Sequence, residues 1–85
     1  MVSRVVVVNL EEGVHARPAA DLVRVANSYN SEIKIKVGGT VVDAKSVLSI
    51  MKLTIRNGTE VQLQAEGPDE DAAVEALAQM FTTPR

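Results

Sequence analysis

No cysteine occurs in the 85 residues, which excludes a disulfide framework and a thiolate zinc site. Tryptophan is absent as well, and one Tyr and one Phe leave no stacking platform for bases. Nine lysines and arginines against eleven acids give a net charge of -2, with both signs interspersed. No basic patch is available to neutralise a phosphate backbone, so nucleic acid is not an expected partner. The chain has neither an apolar run long enough to span a bilayer nor a signal peptide, so no membrane role is expected and the cytoplasm is the expected location. Histidine occurs once, at His15, and a metal site there would need a second histidine, a cysteine or acids at ligand spacing. Glu11 and Glu12 read as solvated turn residues, so neither metal nor cofactor is expected.

What is present describes an ordinary globular chain, 46% apolar and 24% charged. Its length suits a single domain over residues 1–85, too small for an elaborate cleft, so any chemistry belongs to the surface. Val2 to Val8 is a β-branched run with four valines in succession, read as a strand buried on much of its surface. After the polar turn of Glu11, Glu12 and Gly13, the residues Ala19, Leu22, Val23, Ala26 and Tyr29 recur every three or four positions. That spacing predicts a helix from about Ala16 to Ser28. Ile33, Ile35 and Val37 alternate with charged residues as a strand wet on one side, and Gly38-Gly39 turns it back into Thr40 to Asp43.

From Ser46, the positions Val47, Leu48 and Met51 shift to helical spacing, a short helix capped by the Ser46 hydroxyl. Asn57-Gly58 marks a turn, and Val61, Leu63 and Ala65 alternate as a fourth strand. Gly67-Pro68-Asp69 ends it and offers Asp69 as the N-cap of a last helix. Ala73, Val74, Leu77, Met80 and Phe81 form the apolar stripe of that helix, with Thr82 to Arg85 expected to fray. The order β-α-β-β-α-β-α, with one-sided strand alternation, predicts an α+β open-faced β-sandwich: a four-stranded antiparallel sheet with three helices on one face.

The chemistry concentrates in Gly13-Val14-His15-Ala16-Arg17-Pro18-Ala19, where the sole histidine meets the start of the first helix. First-turn amides lack intrahelical acceptors and sit at the positive dipole end, so the backbone N–H of Ala16 and its neighbours suits a phosphate. Arg17 is a cation where the dipole disfavours one, by about 0.3 to 1 kcal/mol. Its planar fork can hold two phosphate oxygens, and its plainer role is an ion pair with Asp21 one turn on. A neutral imidazole is nucleophilic near pH 7, and the positive helix end disfavours its protonation, so His15 needs no dedicated base. Ser46 is the second candidate: as a cap it needs no further role, and as a phosphorylation site it would place a dianion beside apolar Val47, Leu48 and Met51.

The segment from Gly13 to Ala20 resembles the active-site motif of the HPr family of bacterial sugar phosphotransferase systems, and the likeness continues through Ala44-Lys45-Ser46-Val47-Leu48 over the whole chain. The resemblance implies a cytoplasmic phosphocarrier that takes a phosphoryl group on Nδ1 of His15 from Enzyme I and passes it to sugar-specific IIA domains. Arg17 then stabilises the phosphate. Ser46 matches the serine that an HPr kinase/phosphorylase modifies in low-GC Gram-positive members, linking them to a catabolite-control regulator, and Ala16 also resembles those members. Ser49 and Thr54 depart from the pattern, standing where glycine is common. The docking surface expected from the resemblance combines Ala20, Arg24, Val47, Leu48 and Met51 in a modest, transient interface of a monomer. Two other readings compete: a paralogous regulatory phosphocarrier that serves no sugar, and a small α+β interaction module without phosphotransfer.

Overall fold

The computed structural model of the chain describes residues 1–11, 13, 14 and 16–83, with Ala16 given by its backbone. Four strands, β1 (Val2–Val7), β2 (Glu32–Val37), β3 (Thr40–Asp43) and β4 (Glu60–Glu66), form one antiparallel sheet in the order β1-β4-β2-β3. Three helices, α1 (Ala16–Asn27), α2 (Val47–Met51) and α3 (Glu70–Thr82), complete the open-faced sandwich that the residue pattern predicts. β4 enters between β1 and β2, with Ile33 opposite Ala65 and Ile35 opposite Leu63. These side chains point to the covered face and are fully buried with Leu22, Leu77 and Phe81. Each such large apolar side chain contributes about 1.5 to 3 kcal/mol by leaving water.

The turns follow their residues. Val37 pairs with Thr40 across Gly38-Gly39, and Gly38 takes φ of +60°, the conformation a tight hairpin requires at its first position. At the Asn57-Gly58 turn, Thr59 N–H donates to Arg56 O at 3.0 Å. β1 differs from its reading as a largely buried strand. It is an edge, and because helices cover only one side of the sheet, Val5 and Val7 are 56% and 57% exposed while Val6 is half-buried and Val8 buried. A run of four valines carries no alternation, so it conceals which two lie on the bare side.

Two further expectations change at α3. Thr82 and Thr83 do not fray: Thr82 Oγ1 donates to Ala78 O at 2.9 Å, Thr83 N–H to Gln79 O at 2.9 Å, and Asn9 N–H to Phe81 O at 2.8 Å. Pro84 and Arg85, the rest of that expectation, lie outside the described residues. Asp69 occupies the N-cap position but makes no capping bond. Its carboxylate instead accepts from Ser31 Oγ at 2.5 Å and from Asn30 N–H at 2.8 Å, tying the α1–β2 turn to the start of α3. The first turn is closed by Glu70, whose Oε1 accepts from Gly67 N–H at 3.2 Å.

Those bonds favour the ionised form of Asp69, the Ser31 hydroxyl foremost and the Asn30 amide next, and hold its pKa below the ordinary 3.8. A depressed carboxylate pKa stabilises the fold fully above the unfolded value and less as pH falls through the folded one. Asp69→Asn is therefore expected to lower the melting temperature at neutral pH by an amount that stays constant down to about pH 5, begins to shrink near 3.8 and is lost only once pH falls below the depressed folded value. Melting curves of both proteins from pH 7 to pH 2 measure the gap, and a gap that persists in acid would assign Asp69 a neutral role.

Candidate functional site

His15 and Glu12 lie outside the described residues, but the chain leading up to His15 is held closely. Gly13 N–H donates to Leu10 O at 2.8 Å, closing the turn, and Val14 N–H donates to Ile55 O at 2.9 Å. Gly13 and Val14 are both buried. Gly13 has φ of +71°, and a Cβ placed on it would stand 2.7 Å from Ile55 O and 3.1 Å from Arg56 Cα. The structure thus gives this glycine a reason that spacing alone did not: the loop lies flat on the backbone of residues 55–56. With Asn9 bound to the end of α3, the approach to His15 is fixed by tertiary contacts at both ends.

α1 opens at Ala16, so the amide of Ala16 is among the first-turn donors that a helix itself does not use. Arg17 is exposed in that turn, which contains no acid, and Pro18 is half-buried behind it. Asp21 forms an ion pair with Arg24 at 3.7 Å. Arg17, Ala20 and Arg24, spaced by three and four, share one stripe of α1, and all three are exposed. α1 packs against α2, on which Leu48 is 75% and Met51 42% exposed, with Val47 half-buried. The predicted docking residues therefore lie on adjoining helices, and Leu48 and Met51 leave much of their apolar surface exposed.

Ser46 is the N-cap of α2 as expected, with extended backbone and Oγ accepting from Ser49 N–H at 3.3 Å. The helix ends in a feature the sequence reading missed. Thr54 has φ of +51°, unique for a non-glycine among the described residues, a left-handed backbone that costs about 1 to 2 kcal/mol. The departure from glycine noted at this position was the available signal, without indicating the conformation. No group of three or more His, Cys, Asp or Glu that could hold a metal occurs among the described residues. A groove of about 380 Å³ lined by Val25, Ala76, Gln79, Met80 and Thr83 includes none of the candidate residues. No helix among the described residues is long and apolar enough to cross a membrane.

Solved structures and sequence relatives resemble the chain over nearly its whole length. The crystal structure of a phosphocarrier protein HPr from Bacillus anthracis superposes with a TM-score of 0.93 at 41% identity, over 95% of this chain and 96% of that one. The HPr-like protein Crh of Bacillus subtilis is 45% identical over 78 residues, 92% of each chain. A crystal structure of Crh, described as a swapped-domain dimer, matches at 43% identity and a TM-score of 0.77, over 95% of this chain and 93% of that one. The family profile described as the PTS HPr component phosphorylation site matches residues 2–83, from the first strand to the end of the last helix, and with it the pinned loop before His15 finds its context: the chain belongs to the HPr family of phosphocarriers.

Proposed function

We propose that the protein accepts a phosphoryl group on His15 from phosphorylated Enzyme I and passes it to sugar-specific IIA domains. The observation that carries this reading is the anchoring of Gly13 and Val14, which in the sequence lead into the sole histidine and then the first turn of α1, where Arg17 is exposed. In each transfer a phosphorus–nitrogen bond forms to the imidazole as the bond from phosphorus to the donor's group breaks, and the reverse occurs on delivery. First-turn amides and the Arg17 guanidinium stabilise the charge spread over the phosphoryl oxygens. Intact-mass analysis after incubation with phosphoenolpyruvate, magnesium and Enzyme I tests the proposal. One acid-labile phosphoryl group, lost on adding a IIA domain, is the expected result; an unlabelled protein with the host's own Enzyme I would sink it.

Arg17→Ala is expected to keep the fold and lower kcat/KM for acceptance by about 10-fold to 100-fold, less than a fully desolvated donor supplies because Arg17 is exposed. Stopped-flow or quenched transfer from Enzyme I reads it, with the loss in kcat and not in KM. The docking stripe of Arg17, Ala20 and Arg24 beside Leu48 and Met51 suits a partner with an apolar centre and an acidic rim. We infer a monomeric carrier, the state that a modest, transient docking surface suits, against the dimer described for Crh. Light scattering would reveal a dimer like that of the swapped relative.

The likeness to Crh favours a second reading, a regulatory paralogue whose phosphorylated and unphosphorylated forms engage a regulator and serve no sugar. Growth on sugars after deletion separates the two. Both readings leave Ser46 open to an HPr kinase/phosphorylase, acting toward a catabolite-control regulator. Ser46→Asp is expected to retain α2, because aspartate also caps, while its charge beside Leu48 weakens transfer from Enzyme I by roughly tenfold. Normal transfer by that variant would reduce Ser46 to a cap.

A further inference from the structure

Thr54 lies where two parts of the molecule meet. On its N-terminal side it follows α2, with Leu53 N–H donating to Ile50 O at 3.1 Å and its own N–H to Met51 O at 3.4 Å. On its C-terminal side Ile55 is buried, and its carbonyl accepts from Val14 N–H at 2.9 Å, the residue immediately before His15. The same carbonyl forms the wall against which Gly13 lies. Between these two sides, the backbone of Thr54 takes a left-handed conformation that a β-branched residue adopts only when the surroundings determine it. Thr54 is exposed, and no hydrogen bond from its hydroxyl occurs among the described residues, so its backbone rather than its side chain is the feature the structure uses.

We propose that Thr54 is a positioning residue for phosphoryl acceptance, its left-handed backbone aiming the Ile55 carbonyl at the Val14 amide and so setting the chain that delivers His15. A right-handed or extended residue 54 would redirect that carbonyl. The link runs from the end of the helix that carries Leu48 and Met51 to the loop that carries the acceptor. It rests on the proposed carrier role, but the geometry it asserts has a readout of its own in the protection of the Val14 amide.

The test is a set of substitutions graded by backbone preference. Glycine and asparagine take the left-handed conformation readily, and proline, with φ fixed near -65°, cannot take it. Thr54→Gly and Thr54→Asn are expected to accept phosphate from Enzyme I within twofold of wild type, with Val14 amide exchange equally slow. Thr54→Pro is expected to lose at least tenfold in kcat at nearly unchanged KM, with Val14 exchanging at least tenfold faster. A tenfold loss of acceptance in either the glycine or the asparagine variant overturns the proposal, whether or not the proline variant folds, because the side chain would then be the agent. A folded Thr54→Pro protein with wild-type kcat also overturns it. Absence of phosphorylation in wild type would instead refute the carrier role, and the exchange rates would still decide whether residue 54 holds Val14.

Discussion

His15→Ala is expected to abolish phosphoryl acceptance, dropping the rate by more than about a thousandfold while leaving the protein folded. The size of the effect follows from composition. The chain has one histidine and no cysteine, so neither a second imidazole nor a thiolate is available as a nucleophile near pH 7. Serine and threonine hydroxyls need a general base to act as nucleophiles, and no second imidazole exists to serve as one. What remains after the substitution is a first-turn anion site and Arg17, which stabilise a phosphate but form no bond to it. The measurement is acid lability together with mass: a phosphohistidine is lost in acid and a phosphoserine persists. An acid-labile label on the His15→Ala protein would place the acceptor elsewhere, and an acid-stable one would indicate a hydroxyl, with Ser46 first to be checked. Unchanged melting within a few degrees separates lost chemistry from lost structure.

How far this site was legible depends on which contacts define each part. Ile33, Ile35 and Val37 state their strand and its covered face by alternation alone, and Gly38-Gly39 states the hairpin, so β2 and β3 follow directly from local pattern. The helix after His15 is equally plain from Ala19, Leu22 and Ala26, all buried as their spacing requires. Ser46 caps α2 because a cap is a contact three residues long. The four valines of β1 and the aspartate at position 69 were misread for one reason: each takes its role from a segment distant in sequence. The bare face of β1 is set by where the helices lie, and Asp69 abandons the cap because Asn30 and Ser31 come within reach only after the chain has folded. Thr54 and Ile55 belong to the same class. Nothing local to either announces that Val14 will bond to the Ile55 carbonyl. The motif around His15 names the chemistry, and the backbone that holds it is supplied from the far side of the chain.

That division predicts how Gly13→Ala will behave. At Gly58, φ is +88° and a Cβ would meet nothing within 4 Å, so Gly58→Ala costs only the left-handed penalty, about 1 to 2 kcal/mol. Gly13, at φ of +71°, adds a collision with the Ile55 carbonyl at 2.7 Å, closer than real Cβ atoms come to a neighbour, and that neighbour is backbone. Relief requires the loop to lift from residues 55–56, which lengthens the Val14 to Ile55 bond and exposes two buried residues. The expected loss is about 2 to 4 kcal/mol, or a fall in melting temperature of roughly 8 to 25 °C for a domain of this size. Phosphoryl acceptance is expected to fall at least tenfold at temperatures where the variant remains folded, because the anchor of the acceptor loop is gone. Gly13→Asn discriminates between the two causes. Asparagine tolerates the left-handed backbone but carries a Cβ, so it should fare as badly as alanine if the collision dominates and approach wild type if conformation alone matters. Urea unfolding of Gly13→Ala, Gly13→Asn and Gly58→Ala side by side gives the ranking. Equal, small losses in all three would show that the loop is free to lift, and that the wall formed by Ile55 does not hold the chain before His15.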